Sequence, residues 1–582
     1  MVNINLPPTQ KQQDWPIIIG ASLGSFLLLW PSLIYFFWGF QSELPAIKSY
    51  THLILSFITF SKELAFFSKP ISFISYWQYI QNTGLQNTFY LHTALPSLPS
   101  ILIAYMIGRA CYIPGGANRI RHISGPKLLK DKQAIHHASS RVCNKKNQKG
   151  LILHPEIQIS KKQEQGNILL LGNMGAGKTS IQINLYEQII NRDVPCFIFD
   201  FKKEFTSYFY SNNKTILVSI NDTRSTPWDI SADVTTRQEA ISASNKLIIE
   251  NEKDPFWTDG CRLITSGLMV YLINIAKPWG WKELANLIKL PIDDLKELLV
   301  KHFPEAADFI TDAESKMALS FKATLMSQLN WIISLGDNWP DAHNKGFSIK
   351  NWVNSGSNQK PIFIIQHDVK YDDVTGPLLN TLIALMYTNV ISLPNDSSRE
   401  IWLLIDELGH LPQNNTLESW LAVGRSKGCR SIIATQTYSK CVYIYGKDLC
   451  NAIFDLFEIL YVMRLSGSDS ADYIVQRFGK RKIERPTSAS GAGEKTVRNW
   501  HGEEIDLITP SELIHLPKPD PTIKYPITSF LMLQGWDAVY RLGFPFSILK
   551  PSQPESIPVS STELNILKVS EDKSVTLDEL LS

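Results

Sequence analysis

Gly172-Asn173-Met174-Gly175-Ala176-Gly177-Lys178-Thr179 has the spacing G-x-x-x-x-G-K-T, and its residue types suit the holding of a polyphosphate. Glycines let backbone N–H groups close around phosphate oxygens at the start of a helix. Lys178 can neutralise the β and γ oxygens, and the Thr179 hydroxyl can ligate Mg2+. The apolar run Ile168 to Leu171 before the loop reads as a strand, and Ser180 to Ile190 after it as a helix. Strand, glycine loop and helix are the context this motif requires. Gly172, Asn173, Met174, Gly175, Ala176, Gly177, Lys178, Thr179 and Ser180 are therefore assigned to ATP.

A second segment supplies the complementary chemistry. Ile401-Trp402-Leu403-Leu404-Ile405-Asp406-Glu407 is an apolar strand ending in two carboxylates. Asp406 is expected to hold Mg2+ together with Thr179, and Glu407 to orient or deprotonate the attacking water. Gln436, at the end of Ile433-Ala434-Thr435, can sense the γ-phosphate or that water; the bland alternative is an ordinary loop Gln. Arg425, in Gly424-Arg425-Ser426-Lys427-Gly428, can act as an arginine finger on a neighbouring subunit's nucleotide, the bland alternative being a solvated surface Arg. The catalytic set is thus Glu407, Lys178, Arg425 and Gln436.

These residues need a scaffold, and the pattern from Gly166 onward provides one. Buried-strand patterns occur at Ile168 to Leu171, Cys196 to Asp200, Ile216 to Ser219, Ile362 to Gln366, Trp402 to Asp406 and Ser431 to Thr435, with later candidates at Phe457 to Leu465 and Phe530 to Leu533. Helical stretches alternate with them, which is a doubly wound α/β signature. Between Ser231 and about Leu335 the strands vanish and helical patterns replace them, punctuated by Asp254-Pro255, Lys277-Pro278 and Leu290-Pro291. About a hundred residues of helix, 231–335, are expected to form a lobe that projects from an α/β domain spanning 111–230 and 336–550, with a flexible acidic tail at 551–582.

Only 19% of the residues are charged, a deficit that points to a membrane-inserted part. Pro16 to Phe40 is an uncharged run long enough to span a bilayer, without the short apolar core and cleavage site of a signal peptide. Thr88 to Gly108 reads as a second span, and the aromatic-rich segment between them leaves room for a third. Residues 1–110 are then a membrane anchor with a small loop outside. The net charge, 57 minus 55, is +2, but Arg109 to Lys162 holds twelve Lys or Arg against Asp131 and Glu156. That basic flank orients the anchor with the bulk of the chain in the cytoplasm, and it can also contact nucleic acid. Seven cysteines with no CxxC pair argue against a disulfide framework and against a zinc site of the usual spacing.

Taken in order, these residues resemble the type IV secretion coupling proteins, the TraD-like ATPases of bacterial conjugation. The likeness extends over nearly the whole chain. It includes Asp200-Phe201-Lys202-Lys203-Glu204, the Arg224-to-Trp228-Asp229 element, Asp254-Pro255-Phe256-Trp257, Phe347-Ser348-Ile349-Lys350-Asn351-Trp352, and Asp406-Glu407-Leu408 followed by Leu421-Ala422-Val423-Gly424-Arg425. Two positions depart from the pattern: the family usually has Gly at Lys203 and His near Asn167. The resemblance implies a RecA-like P-loop NTPase domain with an inserted all-α domain, in a hexamer anchored in the bacterial inner membrane beside a secretion channel.

The function expected is recruitment of a relaxase bound to single-stranded DNA and ATP-driven transfer of that DNA through the channel proteins. An adaptor that docks protein effectors without DNA, or an assembly scaffold with a structural ATP site, are the competing readings. The helical lobe carries both signs of charge without a basic stripe, so selection of a protein-tagged substrate suits it better than a DNA grip, with Lys316 and Lys322 as candidate phosphate contacts.

Overall fold

The computed structural model describes residues 15–39, 78, 80–111, 121–141, 149–248, 255–355, 360–489 and 497–559, except 311, 313 and 415. The third membrane segment considered above and the tail beyond 559 lie outside the described residues. The chain divides into two compact units, 1–123 with 482–504, and 124–481 with 505–582.

The smaller unit contains the helices Trp15–Gly39 and Gln86–Cys111, packed along one another. At 1.5 Å per residue they are about 37 and 39 Å long. Gly108, near the end of the second helix, lies against Ser22 of the first, where an added Cβ would come 2.2 Å from the serine Oγ. Leu27, Leu28, Leu98, Leu102, Tyr105 and Met106 face outward and are exposed. This unit also holds most of a three-stranded sheet in which Lys480–Ala489 lies between Arg121–Ser124 and Val497–Asp506.

The larger unit is built on ten strands: β1 (Lys127–Lys130), β2 (Asn167–Leu171), β3 (Cys196–Asp200), β4 (Thr215–Val218), β5 (Ile362–Gln366), β6 (Ile401–Ile405), β7 (Cys429–Thr435), β8 (Phe457–Val462), β9 (Ile527–Leu533) and β10 (Ala538–Phe544). Their order across the sheet is β1-β10-β9-β8-β2-β7-β6-β3-β5-β4. From β8 to β4 every pairing is parallel, and β8-β9-β10 continues antiparallel. β2, β3, β5, β6 and β7 are buried throughout, which explains their continuous apolar sequences. All the expected strands form. β1, β10 and a hairpin of Lys149–His154 with Ile157–Ser160 are additional, because short or charge-flanked segments carry little periodicity.

The inserted region is helical: Arg237–Leu247, Pro255–Asn274, Trp281–Lys289, Ile292–His302 and Lys316–Asn338. The last helix runs past the anticipated edge at Leu335, and the chain rejoins the α/β domain near Phe347. There Asp229 N–H donates to Phe347 O (2.9 Å) and Phe347 N–H to Pro227 O (2.9 Å). Buried Asp233 accepts hydrogen bonds from Trp228 Nε1, Ser348 Oγ and the backbone N–H groups of Ile349 and Lys350. One carboxylate thus fastens the outgoing and returning chains. The lobe does not simply project, because Leu268, Trp281 and Leu329 belong to the same apolar cluster as Leu171, Phe199, Ile365 and Ile405 on one sheet face. Lys322 is unavailable to phosphate: its Nζ donates to Ile288 O (2.5 Å) and Leu290 O (2.6 Å), capping the helix Trp281–Lys289.

Residues 551–557 also differ from the flexible tail expected. Ser552 and Gln553 N–H groups donate to Ser207 O, Gln366 Nε2 donates to Glu555 O, Ile557 N–H donates to the Asp222 carboxylate, and Thr223 N–H donates to Ile557 O. Polar side chains made this stretch look solvated, but its backbone is what the fold holds.

Candidate functional site

β2 feeds directly into the glycine loop and the helix Lys178–Ile190. Gly175 and Gly177 have φ of +71° and +98°, a region costly for side chains with a Cβ, and a Cβ on Gly177 would lie 2.7 Å from Ile527. Asn173 Oδ1 accepts the N–H of Met174 (2.7 Å), and Asn173 N–H donates to Arg464 O (2.8 Å), tying the loop to the end of β8.

β7 lies between β2 and β6, so the ends of these parallel strands bring the loop, Gln436 and the Asp406-Glu407 pair together. Lys178 Nζ donates to Glu407 Oε2 (3.0 Å), and Gln436 N–H donates to Glu407 Oε1 (3.0 Å). Both members of the ion pair are nearly inaccessible, at 8% and 4% side-chain exposure. Burial lowers the Lys178 pKa even though Glu407 opposes the shift. For Glu407 burial acts upward, but the Lys178 charge and hydrogen bonds outweigh it and hold the carboxyl below its usual range.

Asp406 is buried, and its Oδ2 has no hydrogen-bond partner. Burial, then the neighbouring Asp200 carboxylate, push its pKa up to about 7. Asp200 is itself raised to about 6 by burial, against the pull of the Thr206 hydroxyl and N–H. An orphaned carboxylate oxygen beside a loop whose glycines leave room for phosphate fits a divalent cation, which would restore the ionised form of Asp406.

A cavity of about 600 Å³ is lined by Asn173, Met174, Gly175, Gly177, Lys178, Thr179, Ser180 and Gln436 from the expected set. Ile183, Lys202, Glu204, Tyr208, Lys518, Pro519, Phe546, Ser547 and Leu549 complete it. Lys202 and Glu204 were marked in sequence by the family pattern. Lys518 to Leu549 had no local signal, since only the return of β9 and β10 carries that region to the loop. Lys203 adopts φ +61°, a left-handed conformation that suits the family's usual Gly. Its Nζ donates to Asp368 Oδ2 (2.9 Å), which offsets the strain and keeps Lys202 and Glu204 beside the cavity. Asn167, at the other departure, is buried and donates to Leu421 O and Leu456 O, joining β2 to its neighbours.

Arg425 is not brought to this chain's own loop. It sits in the turn Gly424–Lys427 before β7, at the opposite end of the sheet, and β7's seven residues span about 23 Å. There it pairs with Glu458 Oε1 (2.5 Å).

Cys196, Cys261, Cys429, Cys441 and Cys450 are buried free thiols; burial pushes each up to about 12.

TraD, a coupling protein of Escherichia coli (strain K12), is 22% identical over 412 residues, which cover 69% of this chain but only 56% of TraD. The unbound bacterial conjugative coupling protein TrwBdeltaN70 superposes with a TM-score of 0.62 at 19% identity, covering 77% of this chain and 98% of that one. TrwB in complex with ADP and Mg2+ gives 0.60 at 19% identity, covering 77% and 100%. Residues 151–529 match the family described as the type IV secretion-system coupling protein DNA-binding domain. With this match over more than half its length, and the RecA-like α/β fold it shares with TrwB, the chain belongs to the type IV secretion coupling protein family.

Proposed function

We propose that this protein is an inner-membrane ATPase that assembles as a hexamer, recruits a relaxase bound to single-stranded DNA, and drives that DNA into a type IV secretion channel. The observation that carries the reading is a cavity lined by the phosphate loop and Gln436, with Glu407 bonded behind it to both Lys178 and the Gln436 N–H, in a member of the coupling protein family.

ATP binds with its phosphates on the loop from Gly172 to Ser180. Mg2+, held by Thr179 and Asp406, neutralises developing charge on the transferred phosphoryl. Lys178 exchanges Glu407 for the β and γ oxygens, and this exchange frees Glu407 to accept the proton of the attacking water. Gln436, whose N–H touches Glu407, reports the state of the γ-phosphate to the chain after β7. Arg425, remote from its own loop and exposed, supplies positive charge to the next subunit's nucleotide after leaving Glu458.

Two features support the anchor: a mean hydropathy of 1.3 in Gln86–Ala110, and an apolar first helix with Leu27 and Leu28 outward. Val369–Ile391 is as apolar but mostly buried, as a core helix of the α/β domain is. The basic flank after Arg109 supports an orientation with both termini in the cytoplasm.

The test is ATP turnover by the purified full chain in detergent, with and without single- and double-stranded DNA, beside DNA transfer in cells. DNA-stimulated turnover and loss of transfer in Glu407→Gln are expected. Turnover indifferent to DNA, with transfer intact in that variant, refutes the proposal.

A further inference from the structure

Just past the strand ends that carry Gln366, Asp200, Glu407 and Gln436, a second row of side chains stacks together, and the phosphate chemistry makes no use of it. The Phe201 ring lies flat on the His410 ring, with centroids 3.6 Å apart and planes at 11°. His367 also stacks on Phe201, at 5.1 Å and 27°. It is fixed in turn, its N–H donating to Asp200 O (3.3 Å) and its Nε2 lying 3.3 Å from Asp372 Oδ1. Lys440, in the helix Tyr438–Tyr445 that follows Gln436, places its Nζ 3.3 Å from His410 Nδ1 and 3.1 Å from His410 Nε2. Near-equal distances to both nitrogens put the ammonium over the ring face rather than on one lone pair. Phe201 therefore takes one face of His410 and Lys440 the other.

This sandwich decides where a second ammonium lies relative to Glu407. The Lys440 stem and the Glu407 carboxylate meet at Gly409, where an added Cβ would come 2.9 Å from Lys440 Cδ and 3.3 Å from Glu407 Oε1. Two bonds beyond Cδ, the ammonium can reach that oxygen. Oε1 accepts the Gln436 N–H (3.0 Å) and, as a carboxylate oxygen, can accept a further donor. Burial, then the Lys440 charge, lower the His410 pKa against the opposing pull of Glu407. The ring is thus neutral near pH 7, and its face attracts the cation instead of repelling it.

We propose that His410 is a positioning residue for ATP hydrolysis: clamped on Phe201, its ring holds the Lys440 ammonium off Glu407, so the carboxylate is left unpaired when Lys178 moves to phosphate. This inference rests on the role of Glu407 proposed above and adds the group that keeps that base free. Without the ring, Lys440 swings onto Glu407 as Lys178 leaves. A carboxylate held in a charge-assisted hydrogen bond is a poorer proton acceptor, so turnover falls. Neither the ring nor the ammonium contacts the nucleotide in this scheme, and ATP affinity is not weakened.

The experiment measures steady-state ATP turnover and equilibrium binding of ATP with Mg2+ for the full chain in detergent and for its His410→Ala, His410→Phe and His410→Ala/Lys440→Met variants. His410→Ala is expected to lower kcat about tenfold without weakening ATP. His410→Phe keeps a ring for both Phe201 and the ammonium and should retain turnover. The double variant removes the errant charge but keeps the stem, and should recover most of the loss. Unchanged turnover in His410→Ala overturns the proposal. A loss that Lys440→Met does not restore marks a merely structural ring and overturns it as well, as does a loss shared by His410→Phe. Where the circular-dichroism melt shows His410→Ala unfolded, His410→Leu, which fills the space without a π face, takes its place under the same outcomes. Absence of turnover in the unmodified chain removes the proposed ATPase and the role of His410 with it, whereas every other outcome leaves that ATPase standing.

Discussion

Glu407→Gln should do two things at once: stop hydrolysis and tighten ATP. Glu407 Oε2 accepts a hydrogen bond from the Lys178 ammonium at 3.0 Å with both side chains buried, so ATP must break this pair before Lys178 can reach phosphate. A hydrogen bond between charged groups contributes about 1.5–3 kcal/mol, and the neutral amide that replaces it retains about 1 kcal/mol. The Lys178–Glu407 pair therefore loses about 0.5–2 kcal/mol that the ATP complex does not, which lowers the ATP dissociation constant about 2- to 30-fold. Removing the general base should reduce turnover by about a hundredfold or more. Equilibrium titration with ATP and Mg2+, beside phosphate release from the same preparation, measures both effects. ATP bound more weakly by the variant would show that the resting pair does not compete with nucleotide. Turnover within tenfold of the unmodified chain would remove Glu407 from its role.

Gly177→Ala places a Cβ at φ +98° and 2.7 Å from Ile527, so it should weaken ATP at least tenfold while the circular-dichroism melt shows a folded protein; unchanged affinity refutes the need for bare backbone there. Arg425→Ala subunits mixed with Lys178→Ala subunits should regain activity, since a mixed interface can pair an intact finger with an intact loop; mixtures that assemble but never exceed the sum of the separate variants remove the trans role. Glu400 joins Lys161, Arg192 and Arg430; burial acts upward on its pKa, but these cations hold it at about 2. Its contribution is fully present above the unfolded value of 4.5, reaching about 3 kcal/mol, and is lost as pH falls toward 2. Urea titrations should therefore show Glu400→Gln destabilised by about that amount at pH 7 and by about half as much or less at pH 3; a pH-independent gap contradicts the linkage. A cysteine placed at Lys69 in intact cells should react with an impermeant reagent, and protection there overturns the two-span topology.

The chemistry of the site was legible because its motifs are local. Phosphate binding needs a strand, a glycine loop and a helix in succession, and metal binding needs a carboxylate at a strand end. Each is a short-range pattern with a period or spacing that one stretch of chain displays. The same holds for the buried parallel strands, whose continuous apolar runs follow from burial on both faces, and for the helical replacement between Ser231 and Leu335. Even the left-handed turn at Lys203 had a sequence trace, as a departure from the family's glycine.

What depended on tertiary structure was pairing between distant residues. Nothing near Asp233 announces that it will fasten residues 115 positions away, and Lys322 reads as a free surface cation until Ile288 and Leu290 carbonyls are placed beside it. Arg425 and Gln436 flank the same strand in sequence, yet the direction of β7 sends one to the site and the other to the opposite end of the sheet. Phe546 and Ser547 lie 367 residues or so from the loop they cover, and only the antiparallel return of β9 and β10 brings them there. Sequence alone determined which groups can handle phosphate, metal and water, because those abilities belong to residue types and short spacings. The tertiary structure decided which of them meet, because strand order and direction depend on burial of the whole sheet, which no local segment encodes.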